Sequence, residues 1–512
     1  MTMFELKAGM AWPPKDITPL WESMRGWAAW WAGNPATSSA RALADKHSKR
    51  MIDNGGLLGT TKAFFVGRPK SNPDRPSRPD IHLPVASDIA RTSADLLYSD
   101  QPVFTSENEQ ANEAITTLIA DGLLTVLSEG AEYGAALGGR YHRIVIDPAI
   151  REGRPFLTTI SPEHVIPIFK WGTLTGAHII NEHPENMTIW RHIETHYLDE
   201  SGNGHIRHQL FQGTTSSLGE LKPLTDRPET AGLIVNAESE WIPSTGLTPG
   251  LMIAYIPNVT PQRTWRNHPQ GRHLGRSDIQ GLEPLMDALN ETWSSWMRDI
   301  RLGKARILAA QHILETKGKG EGFEFDLDRE VFTPLETLGP MDGGLPIQSV
   351  QFNIRVTEHA QTCQALLEQI INNAGYSLGS FQENTADNQV TATEVAAREK
   401  RTLITRDRKI VHETRGLQQL LTKMLSLMSV DSASLQISFS DAIQADPMAA
   451  SGSLAALRSA MIMSQKVAIQ YLHPDWDATQ IDAEVKQISA ESADTLVDPV
   501  SWRPQESGGE ST

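Results

Sequence analysis

The chain has a single cysteine, Cys363, in 512 residues. A lone thiol forms no intrachain disulfide and supplies no Cys-based zinc pattern. Cys363 falls on an apolar helical stripe and reads as a small core residue. Long hydrophobic runs are missing as well. No stretch approaches the ~18 apolar residues of a membrane span, and the start MTMFELKAGMAWPPKD has neither the basic region nor the apolar run of a signal peptide. Folding in a cytoplasm with no membrane partner is the expectation. Basic residues are in deficit, 46 Lys+Arg against 62 Asp+Glu, for a formal charge of −16. That balance argues against gripping nucleic acid by phosphate neutralisation, which puts excess Lys and Arg on one surface, while passive contact with DNA stays open. Catalytic signatures are also lacking. The pairs Gly303-Lys304 and Gly318-Lys319 are followed by Ala305 and Gly320 where a phosphate loop needs Ser or Thr. No G-x-G-x-x-G follows a strand, and no G-x-S-x-G elbow occurs. The sequence therefore predicts no enzyme and no cofactor, in a chain whose length and 39% hydrophobic content suit several domains with a sizeable core.

What is present begins with tryptophan. Trp12, Trp21, Trp27, Trp30 and Trp31 are five of the thirteen in the chain, and Leu20 and Met24 fall between them at helical spacing, which predicts an anchoring helix. Pro69, Pro73, Pro76 and Pro79 among Arg68, Lys70, Arg75 and Arg78 predict a long surface loop. Helical patterning covers Val85–Tyr98 and then about 110–137. From Tyr141 to Pro257 the pattern turns to short β-type runs at 144–146, 156–160, 165–169, 187–197 and 206–211, with a hairpin connection at 199–205 and an excursion at 213–250. The second half is helical again. Ser277 with Gln280 forms a capping box pattern, followed by Ile279, Leu282, Leu285, Met286, Leu289, Trp293, Trp296 and Ile300 at steps of three and four. Pro284 predicts a kink or an irregular start. A second helix follows at Val356–Ala374, with Leu366 and Ile370 on its apolar stripe. A third pattern begins at a capping box of Thr391 and Glu394 and runs to Met428, interrupted at Gly416. Helices at 447–472 and about 478–490 and a frayed tail from Asp498 close the chain.

Three constellations have chemical content. His192, Glu194 and His196 alternate on one strand and share a face, a geometry that suits a divalent metal; the plain alternative is a half-exposed strand showing its polar side to water. Glu324, Asp326, Asp328 and Glu330 form an acidic ladder without the glycine and spacing of a calcium loop, so a solvated or channel-lining face is favoured. Arg398, Lys400, Arg401, Arg406, Arg408 and Lys409 make 398–409 the main basic patch. It suits either DNA contact or pairing with acidic groups, on a neighbouring subunit or at Glu394 and Glu413 of the same helix.

The order of these elements, with the stretches His82–Leu97, Ile160–Phe169, Gly275–Ile279 opening the helix with Leu285–Thr292, and Thr391–Val395, resembles the portal proteins of tailed double-stranded DNA bacteriophages, of the siphophage type found in actinobacteria. The resemblance spans nearly the whole chain. It implies an α+β portal fold assembled as a ring of twelve subunits around a DNA channel at one capsid vertex. Residues 1–270 and 391–430 would form the wing, with a β-rich part at 141–257. Helices at 271–302 and 356–375 would form the stem, with the clip at 303–355 between them. A tunnel loop at 376–390 would face DNA through Ser380, Phe381, Gln382, Glu383, Asn384, Asp387, Asn388 and Gln389. The crown would occupy 431–490, ahead of a flexible tail at 491–512. Subunit packing would use the Trp-rich start with Trp293, Trp296, Leu366 and Ile370. The implied partners are the large terminase subunit, a head–tail adaptor, the major capsid and scaffolding proteins, and DNA in transit. The implied location is the virion, after assembly in the host cytoplasm. Two rivals stand beside it: a head-completion or scaffolding-type structural protein with no channel, and a metal-dependent hydrolase around His192, Glu194 and His196.

Overall fold

The computed structural model of the protein describes residues 5–33, 81–233, 241–243, 250–302, 306–309, 315–316, 323–324, 347–350, 355–381, 392–439, 464–472 and 478–494. The chain divides into one unit of residues 1–383 and 401–439 and a second of 384–400 and 440–512. The Pro/Arg run at 69–79 and the tail from Asp498 lie outside the described residues.

In the first unit, helices and sheets are mixed. Helix α1 (Thr18–Trp31) has Pro19 in its first turn, where the missing N–H costs nothing, and buries Leu20, Trp21, Met24, Trp27 and Trp30. These tryptophans fill the core of their own chain, against the expectation that the Trp-rich start serves contacts between subunits. Helix α2 (Val85–Tyr98) matches its periodicity to the residue. The stretch read as one helix at 110–137 is two, α3 (Glu109–Ala120) and α4 (Leu123–Leu137), meeting at 66°. Gly122 between them has φ +94°, a conformation that glycine adopts without strain.

Strand β1 (Val103–Thr105) pairs with β15 (Gln436–Ser438). β2 (Gly139–Val145) lies between β3 (Phe156–Ile160) and β10 (Ile253–Pro257). The larger sheet is an antiparallel run of β4 (Val165–Lys170), β5 (Thr173–Glu185), β6 (Thr188–Leu198), β7 (Gly204–Gly213) and β8 (Glu220–Lys222), with β9 (Trp241–Pro243) also on β7. The β6–β7 hairpin turns where expected. β5 lacks a strand signal in the sequence, because Gly176 and Pro184 break its alternation. The free edge of β4 is occupied by side chains. Trp21 Nε1 donates to the Val165 carbonyl at 3.4 Å, Gln270 Oε1 accepts from the Phe169 N–H at 3.1 Å, and Pro167 has no N–H to offer.

Helix α5 (Glu283–Leu302) starts six residues after Ser277, so the capping box does not form. Ser277 Oγ instead donates to the Ala136 carbonyl at 2.6 Å, and the Gln280 amide is engaged by Gln262 and Thr264. Pro284 is the second residue of the helix, an irregular start and not a kink. β11 (Arg306–Ala309) pairs antiparallel with β14 (Ile347–Val350), and β12 (Glu315–Thr316) with β13 (Phe323–Glu324). Helix α6 (Val356–Ala374) ends at Gly375, φ +101°. Helix α7 (Ala392–Leu427) runs unbroken through Gly416, whose missing Cβ leaves room for Ile256 overhead; a Cβ there would come within 2.4 Å of Ile256 Cγ1.

In the second unit, α8 (Gln465–Leu472) and α9 (Ala478–Asp494) are joined by a 2.6 Å ion pair between Lys466 and Asp482. The rest of the expected helix from 447 lies outside the described residues.

Candidate functional site at the paired helices

Helices α5 and α6 run antiparallel. At their far end Asp299 Oδ2 takes bonds from His359 Nε2 at 3.0 Å and Arg355 Nη2 at 3.1 Å, and these two donors hold its carboxyl below the usual range. The Trp296 ring stacks on His359 with 6.2 Å between centroids and meets Trp293 edge-on at 5.3 Å. Trp293, Trp296 and Leu366 are half-buried and pack on the chain's own core. Ile370 is 0% exposed within the subunit, so its place is that core and not a seam between subunits. At the near end, Trp27 Nε1 donates to Glu283 at 2.9 Å, and Asn290 accepts from the Leu83 N–H at 2.9 Å.

The roots of both helices are tied to α7 by buried charge. Lys409 Nζ uses three donors, to Asp278 Oδ2 and Ser93 Oγ at 2.5 Å each and to Tyr376 Oη at 2.9 Å. Tyr376 donates to Asp278 at 2.7 Å, and Asn258 Nδ2 donates to its other oxygen at 2.8 Å. Burial pulls the Lys409 pKa down, and the Asp278 charge opposes that. One turn further on, Glu413 receives both terminal nitrogens of Arg140, while Tyr98 donates to it at 3.0 Å. Burial works against the Arg140 charge, but Glu413 outweighs it and leaves the pKa raised. Small Gly130 and Gly134 on α4 make room for the Arg140 side chain. Its Nε donates to His142 Nε2 at 2.9 Å; burial, then the Arg140 charge, push His142 well below 6.5, which keeps it neutral. Neither ion pair has a local sequence signal: Asp278 and Lys409 are 131 residues apart, Arg140 and Glu413 273.

The root of the segment after α6 is stapled to the same helix. Thr405 Oγ1 donates to the Gly375 carbonyl at 2.6 Å, Thr402 Oγ1 accepts from the Ser377 N–H at 2.9 Å, and Arg401 reaches Asn372 at 3.2 Å. Phe381 ends a short 3₁₀ turn (Leu378–Phe381), half-buried, with its ring 6.0 Å from Tyr376. Of the tunnel-loop residues, Gln382, Glu383, Asn384, Asp387, Asn388 and Gln389 lie outside the described residues, and Ser380 is described only in its backbone. Glu324 is described only as backbone in β13; Asp326, Asp328 and Glu330 lie outside.

The basic patch does not act as one surface. Arg406 and Lys409 are buried, the former donating to the Leu96 carbonyl at 2.7 Å, while Arg401 and Arg408 are exposed. Arg398 is described only in its backbone. Helical rotation of 100° per residue separates charges that adjoin in sequence.

His192, Glu194 and His196 do share a face, but it is not turned to water. Glu194 is 5% and His196 0% exposed. The two Glu194 oxygens are taken by His196 Nε2 at 2.7 Å and Arg143 Nη1 at 2.5 Å; burial opposes the Glu194 charge, yet these bonds hold the carboxyl far below its usual range. His192 bonds His208 instead, 3.0 Å between ring nitrogens, and burial followed by the His208 charge brings its pKa to about 4. Among the described residues no group of three or more His, Cys, Asp or Glu is placed to hold a metal. The metal-hydrolase reading is thereby corrected: the carboxylate that would bind the ion is committed to an ion pair.

The family model described as "Phage portal protein, SPP1 Gp6-like" matches residues 48–496 of the 512. Among solved structures, the neck of a native GTA particle computed with C12 symmetry aligns at 13% identity and a TM-score of 0.40, over 76% of this chain and 89% of that one. The virion of a native gene transfer agent particle aligns at 14% identity and a TM-score of 0.40, over 91% and 96%. No curated protein sequence matches.

Proposed function

This chain belongs to the phage portal protein family of the SPP1 Gp6-like type, and on that premise we propose that twelve copies close into a ring around an axial DNA channel at one capsid vertex. The role is structural, not enzymatic. The observation that carries the proposal is the antiparallel α5–α6 pair with the β11–β14 ladder just beyond it, so that the chain leaves and re-enters the helical pair at one place. That is the arrangement a stem and a clip require, with residues 1–270 and 391–430 as the wing and 431–490 as the crown.

In this reading residues 303–355 dock the large terminase subunit during packaging and the head–tail adaptor afterwards. The wing faces the major capsid and scaffolding proteins. The segment 376–390 borders the channel, fixed at its root by Tyr376 and Phe381, with Gln382, Glu383, Asn384, Asp387, Asn388 and Gln389 beyond. An acidic lining from Glu324, Asp326, Asp328 and Glu330 suits transit, because DNA carries one negative charge per ~1.7 Å and must slide without sticking. The ring forms in the host cytoplasm and ends in the virion at the head–tail junction. Electron microscopy of the purified full-length chain tests this directly. An annulus with a central hole is expected; particles of defined size without a hole would favour the head-completion or scaffolding alternative.

A further inference from the structure

The exposed face of α7 carries more cation than the described residues of its own subunit pair with. Arg401, Ile404, Arg408, Val411, Arg415 and Gln418 recur at alternating steps of three and four, the spacing with which one helix seats against another. All six are exposed, Ile404 by 43% and Val411 by 68%. Arg401 bonds an uncharged partner, Asn372. Among the described residues, no ion pair engages Arg408 or Arg415. Asp407 at the margin is the one exposed carboxylate between 401 and 419, because Glu413 points inward to Arg140. The neighbouring loops add cations: the Arg276 pKa is lowered by burial first and then by the like charges of Arg263 and Arg408.

We propose that this stripe is a docking seam for an acidic face of a second copy of this chain. The apolar members decide against a nucleic acid partner, since phosphates gain nothing from Ile404 and Val411, whereas a protein surface buries them. Charge complementarity decides for a second copy, since a net −16 leaves each chain with acidic surface to offer. The seam is basic and its counterpart acidic, so the contact joins two different faces, the type that closes into rings. The inference rests on the ring reading and adds which face holds the ring.

The test uses the full-length chain and two sets of exposed substitutions, R401Q/R408Q/R415Q and I404S/V411S, followed by sedimentation velocity, melting and binding to a labelled double-stranded DNA fragment. Each set is expected to raise the half-assembly concentration at least tenfold with melting unchanged, and the serine pair to leave DNA binding as it was. Should the triple variant melt earlier than the parent, the single variants R408Q and V411S decide by the same measure. If the parent assembles and both sets assemble equally well, this proposal alone fails. It also fails if the Gln set loses DNA binding while the Ser set assembles as the parent does, which would assign the stripe to phosphates. A parent that stays monomeric overturns the ring reading together with the seam.

Discussion

Replacing Lys409 by Met removes the cation at the junction of α5, α6 and α7 while keeping most of its length. Asp278 then keeps the Tyr376 hydroxyl and the Asn258 amide but loses its counter-ion, with both side chains of the original pair only 3% exposed. Removing one partner from a buried pair costs about 3–5 kcal/mol, because the remaining charge stays desolvated. At about 2 °C per kcal/mol for a large domain, melting should fall by about 6–10 °C. Arg408→Gln, one position away but exposed, should stay within about 0.5 kcal/mol of the parent. Adding Asp278→Asn to Lys409→Met should recover much of the loss, because no uncompensated charge is left. Denaturant unfolding followed by tryptophan emission, alongside calorimetry, reads all three. A Lys409→Met chain that melts within a degree of the parent, or an Arg408→Gln chain that falls as far, would refute the reasoning.

Four further outcomes are expected. Trp293→Ala with Trp296→Ala should lose several kcal/mol, below the ~3–5 kcal/mol of each fully buried tryptophan since both are half-exposed, and calorimetry with sedimentation separates loss of fold from loss of assembly. The lowered pKa of His192, about 4 against 6.5, means that the unfolded chain takes up the proton first, so stability should drop as pH falls from about 6.5 to 4; His192→Gln with His208→Gln should make that part of the profile shallower, with His142 supplying the slope that remains. Gly416→Ala should destabilise by about 1–3 kcal/mol despite the better helix propensity of alanine, since its Cβ meets Ile256; an unchanged or raised melting point would show that Ile256 moves aside. Deleting Phe381–Asn388 should leave ring assembly nearly intact and impair packaging or retention of DNA, and a deletion chain that supports full-length genomes in a packaging assay would remove the segment from the channel.

Where local chemistry and tertiary packing agree, the elements were legible: α2 and α6 follow from periodicity, and the β6–β7 hairpin from its turn residues. Glycine shows where legibility ends. Gly122 and Gly416 both interrupt helical patterns, yet only Gly122 breaks a helix, by adopting φ +94°, while Gly416 stays helical because a distant isoleucine needs the space. The capping box at Ser277 failed for a similar reason, since its hydroxyl is claimed by a carbonyl 141 residues away. The patch at 398–409 looked uniform because adjacency in sequence hides rotation about the helix axis. Its buried members are unreadable without Asp278 and the Leu96 carbonyl, and its exposed stripe extends to Arg415, beyond the run of adjacent charges.

The covered edge of β4 has a consequence for a chain that, under the ring proposal, gathers many copies of itself. A bare strand edge recruits any other strand with no regard to side chains, and at high local concentration it nucleates open-ended aggregates. Here Trp21 and Gln270 occupy the backbone groups such recruitment would use, and Pro167 withholds one more. Sheet extension from that side is closed, so association through it must read side chains. Self-recognition that reads side chains can count: it stops when the last complementary surface is filled, whereas strand addition has no built-in end.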